Sequence, residues 1–210
     1  MDIFWLNWLL LAGVFFLAVI SPGPDFVVAV KNAIMGSRKI GVMTALGFAV
    51  GVCVHTGYTL IGLATIIAQS VLVFNLIKYV GAAYLLYMGI KALRSKGFEM
   101  VQDALGANPV LMTPLQAFYN GLLTNILNPK ATLFFLAVFS QFITPETPMI
   151  VQVGYAATCA IICFLWFTAV SFVLTDWLIK QRFLRFSKTI DRLCGGFLIA
   201  LSVKLALSKA

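Results

Sequence analysis

Apolar residues run along this chain in six long blocks, roughly 4–34, 40–68, 70–93, 114–141, 149–175 and 189–207. Short polar connections separate them. A helix crossing a bilayer needs about 20 consecutive apolar residues, so each block predicts one membrane-spanning helix. The longest connection, 94–113, carries Gly97, Gly106 and Pro109. No low-complexity tail interrupts the pattern, and residues 1–210 read as a single all-α transmembrane domain. Met1–Trp5 holds no basic residue. The first block therefore reads as a true span rather than a cleavable signal.

Two of the six blocks break at proline. The first carries Ser21-Pro22-Gly23-Pro24-Asp25, and the fourth carries Asn125-Ile126-Leu127-Asn128-Pro129-Lys130. Two other segments also match across the chain. Lys78–Ala82 resembles Arg192–Gly196, and Lys91–Lys96 resembles Lys204–Lys209. With Pro22 set against Pro129, all three matches share one order and a similar offset, which predicts a duplication. Repeat one covers about 1–96 and repeat two about 112–210. An odd number of spans per repeat makes the copies inverted, as in many secondary transporters.

The breaks gather the chemistry. Proline inside a helix removes a hydrogen bond, and the freed backbone groups cannot face lipid. They must line a cavity or be buried in protein. Asn128-Pro129 is a helix start signal, and Ser21-Pro22 or Gly23-Pro24 serves the same purpose in the first block. Two half-helix N-termini would then aim unpaired N–H groups, attractive to a carboxylate, at the protein centre. Asp25 and Lys130 are the one ionisable pair deep in the apolar blocks. Each charge there costs at least about 2.5–3.5 kcal/mol, so the two are expected to face inward as a structural ion pair or as a gated, proton-coupled one. Asn120, Asn125 and Asn128 share their helix and offer donors and acceptors suited to a zwitterion. In the second block Thr44, Gly47, Gly51, His55, Tyr58 and Gly62 form one helical stripe. Gly47-x-x-x-Gly51 permits close helix approach. His55, the sole histidine, reads either as a packed, hydrogen-bonded residue or as a proton relay.

Composition narrows the classes. Of the 210 residues, 61% are hydrophobic and 10% charged, with mean hydropathy +1.00. A soluble domain is about a quarter charged, so a soluble fold and a disordered chain are both excluded. The net charge of +8 comes from 15 Lys and Arg against 7 Asp and Glu. It labels topology rather than nucleic-acid binding. Lys31, Arg38 and Lys39 lie in the first connection, and Lys91, Arg94 and Lys96 in the third. Lys180, Arg182, Arg185, Lys188 and Arg192 lie in the fifth, together with Asp176 and Asp191. Cations mark cytoplasmic connections, which places both termini outside. Cys53, Cys159, Cys163 and Cys194 read as small core residues. No spacing matches a metal site, and no cofactor is expected.

The motifs also carry a resemblance. Ser21–Phe26 resembles a signature of the lysine-exporter superfamily, in its homoserine/threonine-exporter branch. Gly121–Ala131 resembles a second signature, and Gly81-Ala82-Ala83-Tyr84-Leu85 with Gly89 also fits. The intact Pro-Gly-Pro-Asp-Phe and Leu-Leu-Thr-Asn pieces are most similar to threonine exporters. The resemblance covers almost the whole chain. It implies no enzyme but a secondary exporter of a small amino acid, threonine- or homoserine-like, in the bacterial inner membrane. Its partners would be the amino acid, protons and the lipid bilayer; the glycine faces also allow a homodimer. It puts Pro22, Gly23, Pro24, Asp25, Asn125, Asn128, Pro129 and Lys130 at the site. The alternatives are export of leucine, cysteine or a basic amino acid, or of an inorganic cation. A thiol–disulfide carrier needs cysteines at the breaks, where Asp25 and Asn128 stand.

Overall fold

The computed structural model describes residues 3–21, 23–94, 112–144, 146–173 and 177–207. Pro22, Lys96, Asp176 and Lys209 lie outside these residues, as does most of the long connection. All described elements are helices. The first block yields α1 (Ile3–Ile20) and α2 (Pro24–Met35), the second α3 (Arg38–Gln69) and the third α4 (Val71–Leu93). The fourth yields α5 (Pro114–Ile126) and α6 (Pro129–Phe142), the fifth α7 (Met149–Val173) and the sixth the end of α8 (Trp177–Leu207).

Local chemistry sets the boundaries. The Ser37 side chain accepts a hydrogen bond from Ile40 N and starts α3. Ser70 ends α3 and, by accepting from Val73 N, starts α4. Thr113 and Gln116 form a reciprocal capping box ahead of Pro114. α8 starts well before residue 189 because the Lys- and Arg-rich stretch continues the helix; these are good helix formers.

α3, α4 and α7 are long and apolar enough to cross a membrane. The pairs α1/α2 and α5/α6 qualify as bent spans, with bends of 63° and 58°. By length and composition that makes three spans among the described residues, or up to five if each bent pair is one span. α8 does not qualify by the same measure, and Asp191 and Arg192 stand at the head of its apolar part.

Polarity runs opposite to that of a soluble fold. Ile61, Leu72 and Ile150 are more than 70% exposed, whereas Thr44, His55 and Asp191 are fully buried. Such an apolar exterior suits lipid. α3 is central and packs on α2, α5, α6 and α7; α4 packs on α6 and α8. Glycines bring the helices together. A Cβ on Gly47 would land on the Phe118 carbonyl oxygen, and one on Gly121 on that of Thr44. Gly89 and Gly195 face each other so closely that a Cβ on either would lie within 2.8 Å of the other's carbonyl oxygen. Gly62 and Gly196, by contrast, have open space around them. The small-residue stripe of α3 is thus an internal seam with α5 from Thr44 to Gly51. Cys159, Cys163 and Cys194 are buried as expected; Cys53 is exposed, and all four are free.

Candidate functional site

The two breaks are built alike. α1 stops at Ile20 and α2 restarts with Gly23 as its cap and Pro24 as its first residue. α5 stops at Ile126 and α6 restarts with Asn128 as cap and Pro129 first. Proline suits that position because its missing N–H has no helical partner there anyway. This register pairs Pro129 with Pro24, not with Pro22 as the sequence match had it. It also puts Asp25 and Lys130, of opposite charge, at the same position in their half-helices. The two N-termini differ in one respect. Asn128 Oδ1 accepts from Lys130 N at 3.0 Å and caps α6, whereas Gly23 offers α2 no side-chain cap. The capped start of α6 corrects the expectation of two open N-termini.

Pro129 leaves a second mark. In a continuous helix the Asn125 carbonyl would accept from the N–H of residue 129, and proline has none. His55 Nε2 takes the vacancy, donating to Asn125 O at 2.8 Å, and Asn128 N donates at 3.0 Å. A carbonyl only accepts, so Nε2 carries the proton. In the neutral ring Nδ1 then accepts from the Tyr58 hydroxyl. The ring is fully buried and stacks on Phe135 at 5.6 Å. At the other break Lys130 Nζ donates to the Ser21 carbonyl at 3.3 Å. Each break thus has a carbonyl held by a side chain from another helix. Changing His55 to Ala should destabilise the protein by about 0.5–1.5 kcal/mol, the net worth of one of the two hydrogen bonds to that carbonyl. Thermal unfolding in detergent measures this; an unchanged midpoint would show that Asn128 N alone satisfies the carbonyl.

Asp25 is gripped by amides. Asn125 Nδ2 donates to its Oδ2 at 2.7 Å and Asn128 Nδ2 to its Oδ1 at 3.0 Å. Asn128 thereby caps α6 and holds α2 with one side chain. Lys130 acts on Asp25 through space while its ammonium is bonded to Ser21. The two charges are therefore opposed without a direct ion pair, so of the two expected readings the static structural ion pair is not the one seen. Between them lies a pocket of about 490 Å³. Ser21, Gly23, Asp25, Asn125, Asn128 and Lys130 form its polar end; Phe15, Phe26, Phe134, Phe135 and Phe167 form its walls. One end thus offers an acceptor for a cation, a donor for an anion and amides between them. The rest of the lining is apolar.

Of the residues singled out in the sequence, Pro24, Pro129 and His55 shape this pocket without lining it. Pro22 lies outside the described residues. Asn120 is elsewhere: its Oδ1 accepts from Asn32 Nδ2 at 3.0 Å beside a second pocket.

One residue escaped the sequence reading. Asp191, assigned to the fifth connection, is fully buried on α8 and close enough to Lys130 for their charges to interact. Asp25 and Lys130 are thus not alone among buried charges. The signal was present, since Asp191, Cys194, Leu198 and Leu201 lie on one helical face and all are buried.

Comparison with known proteins follows the same lines. A family model described as LysE type translocator matches residues 15–209. The chain is 34% identical over 200 residues to the threonine efflux protein of Salmonella typhi, covering 94% of this chain and 96% of that one. It is 32% identical over 201 residues to the threonine efflux protein of Escherichia coli K12, covering 96% and 98%. It is also 32% identical over 199 residues to the Bacillus subtilis membrane protein YrhP, covering 90% and 93%. No solved structure matches the chain.

Proposed function

The chain belongs to the LysE type translocator family, and on that premise we propose that it is a proton-driven secondary exporter of threonine or a close analogue. As a family member it is a multi-pass membrane transporter and not an enzyme. Its family and its similarity to threonine efflux proteins support amino-acid export. The observation that carries the finer reading is the central pocket, where Asp25 and Lys130 face each other at two helix breaks.

A zwitterionic amino acid fits that polarity. Its ammonium meets Asp25. Its carboxylate meets Lys130 and the uncapped N-terminus of α2, where backbone N–H groups and the helix dipole favour negative charge. The aromatic walls receive a short side chain and leave no partner for a second charge, which disfavours basic amino acids. Asp25 is the better proton carrier of the two candidates because it lines the pocket. His55 has both ring nitrogens engaged and works as a strut behind the break.

The architecture we propose has six spans in two inverted repeats, with α8 supplying the sixth. The bends at equivalent helix starts support it. So does the packing: exchanging α1 with α5, α2 with α6 and α3 with α7 converts the α3/α5 contact into α7/α1 and the α2/α5 contact into α6/α1, and both pairs exist. The cation distribution supports an orientation in the bacterial inner membrane with the ends of α2, α4 and α7 and the start of α3 facing the cytoplasm. The glycines that allow a homodimer are largely spent on internal seams.

Everted membrane vesicles from expressing cells should take up labelled threonine when an outward proton gradient, acid inside, is imposed. Uptake should collapse with a protonophore. A panel of homoserine, leucine, cysteine, lysine and arginine ranks the cargo. Uptake of lysine or arginine in preference to threonine would overturn the assignment of substrate, and indifference to the protonophore would overturn the coupling.

A further inference from the structure

A second pocket, of about 470 Å³, lies where the end of α2, the start of α3 and the start of α5 meet. Lys31, Asn32, Ile40, Met112 and Asn120 are among its lining residues, and it shares none with the central pocket. Among the described residues, Lys31 is the one charged residue in that lining. Asn32 is buried, and its Nδ2 donates to Thr44 Oγ1 at 2.9 Å and to Asn120 Oδ1 at 3.0 Å. One amide thus ties α2 to α3 and α5 together.

The second pocket is in line with the first. Asp25 and Asn32 are seven residues apart, two turns along one face of α2 and about 10 Å in rise. The same seam that pairs Asp25 with Asn125 pairs Asn32 with Asn120. Moving along it from the cytoplasmic connections, a solute meets Lys31 first, then the Asn32 bridge, then Asp25. An exporter loads from that side.

We propose that the pocket beside Lys31 is a loading site that receives the amino acid's carboxylate from the cytoplasm, with the Asn32–Thr44–Asn120 bridge as the latch between it and the central pocket. The proposal rests on the amino-acid export reading above. Lys31 supplies a mobile cation for an anionic group. The latch consists of neutral hydrogen bonds, which an entering zwitterion can replace one for one.

The test is threonine uptake into everted vesicles, whose outer face is the loading face. Lys31→Gln should raise KM about tenfold, the worth of one charge-assisted hydrogen bond, with Vmax close to wild type. Lys31→Arg should restore KM. An unchanged KM, or a fall in Vmax alone, would assign Lys31 to folding or to a lipid headgroup and overturn the proposal; so would failure of Lys31→Arg to rescue. Asn32→Ala should speed leak of threonine down its own gradient several-fold without a proton gradient, and an unaltered leak would remove the latch. If the wild type carries no amino acid at all, the export reading fails and this site with it. If it carries threonine and Lys31→Gln does too with the same KM, the loading site alone fails.

Discussion

Asp25→Asn is expected to reduce proton-driven threonine efflux by about 100-fold or more while the protein still inserts. A hydrogen bond to a buried charged group is worth about 1.5–3 kcal/mol, and Asp25 accepts two, so losing the charge costs at least about two orders of magnitude in affinity or rate. The structure adds a second reason. Both carboxylate oxygens are occupied, one by Asn125 Nδ2 and the other by Asn128 Nδ2. Asparagine has a single oxygen, so one buried amide donor would face another. Two assays on the same vesicles separate the roles of Asp25. If it serves only as proton carrier, net efflux is lost but threonine–threonine exchange survives, because exchange needs no net proton movement. If it also binds the ammonium, exchange is lost as well. Wild-type rates in both assays would remove Asp25 from the mechanism.

The breaks were legible because proline leaves little choice. Asn128-Pro129 announces a helix start through a fixed φ and a missing donor, and that start is where the sequence places it; at the first break the sequence leaves Ser21-Pro22 and Gly23-Pro24 open, and the helix uses Gly23-Pro24. The pairing of Pro22 with Pro129 was out of register by one proline because the first motif holds two and only the cap geometry distinguishes them. The α3 stripe was legible through its spacing, and its glycines meet α5 as close approach requires. Asn120 was misplaced for a reason its spacing contained. Five residues along an α-helix is about 140° around it, so Asn120 and Asn125 point in different directions. Contacts made across about a hundred residues of chain were not legible at all. Nothing local says that Asn125 and Asn128 both grip Asp25, or that the carbonyl orphaned by Pro129 is met by His55. Asp191 was read by its neighbours, which are basic, rather than by its own face, which is apolar.

A glycine series along α3 tests whether the α3/α5 seam carries the site as well as the fold. Gly47→Ala should destabilise the protein, by about 1–3 kcal/mol as overpacking does. Its Cβ meets backbone on both sides, the Phe118 carbonyl and, at 2.7 Å, Leu122 N, so the helices must separate. Gly51→Ala should act differently. Its Cβ would lie 2.5 Å from Asn125 Oδ1, which can rotate away, and 2.9 Å from Asn125 Cβ, which moves only with α5. A shift of a few tenths of an ångström in α5, smaller than Gly47→Ala demands, accommodates it, but Asn125 Nδ2 leaves Asp25, and efflux should fall about tenfold for the loss of a hydrogen bond to a charged group. Gly62→Ala has nothing within 4 Å to disturb and exchanges a poor helix former for the best; it should be neutral or slightly stabilising, with efflux unchanged. Thermal unfolding and vesicle uptake on the three variants read the two effects separately. If Gly51→Ala lost stability as Gly47→Ala does, the Asn125 amide would be a rigid part of the seam. If Gly51→Ala left uptake intact, the bond between Asn125 and Asp25 would have no part in transport.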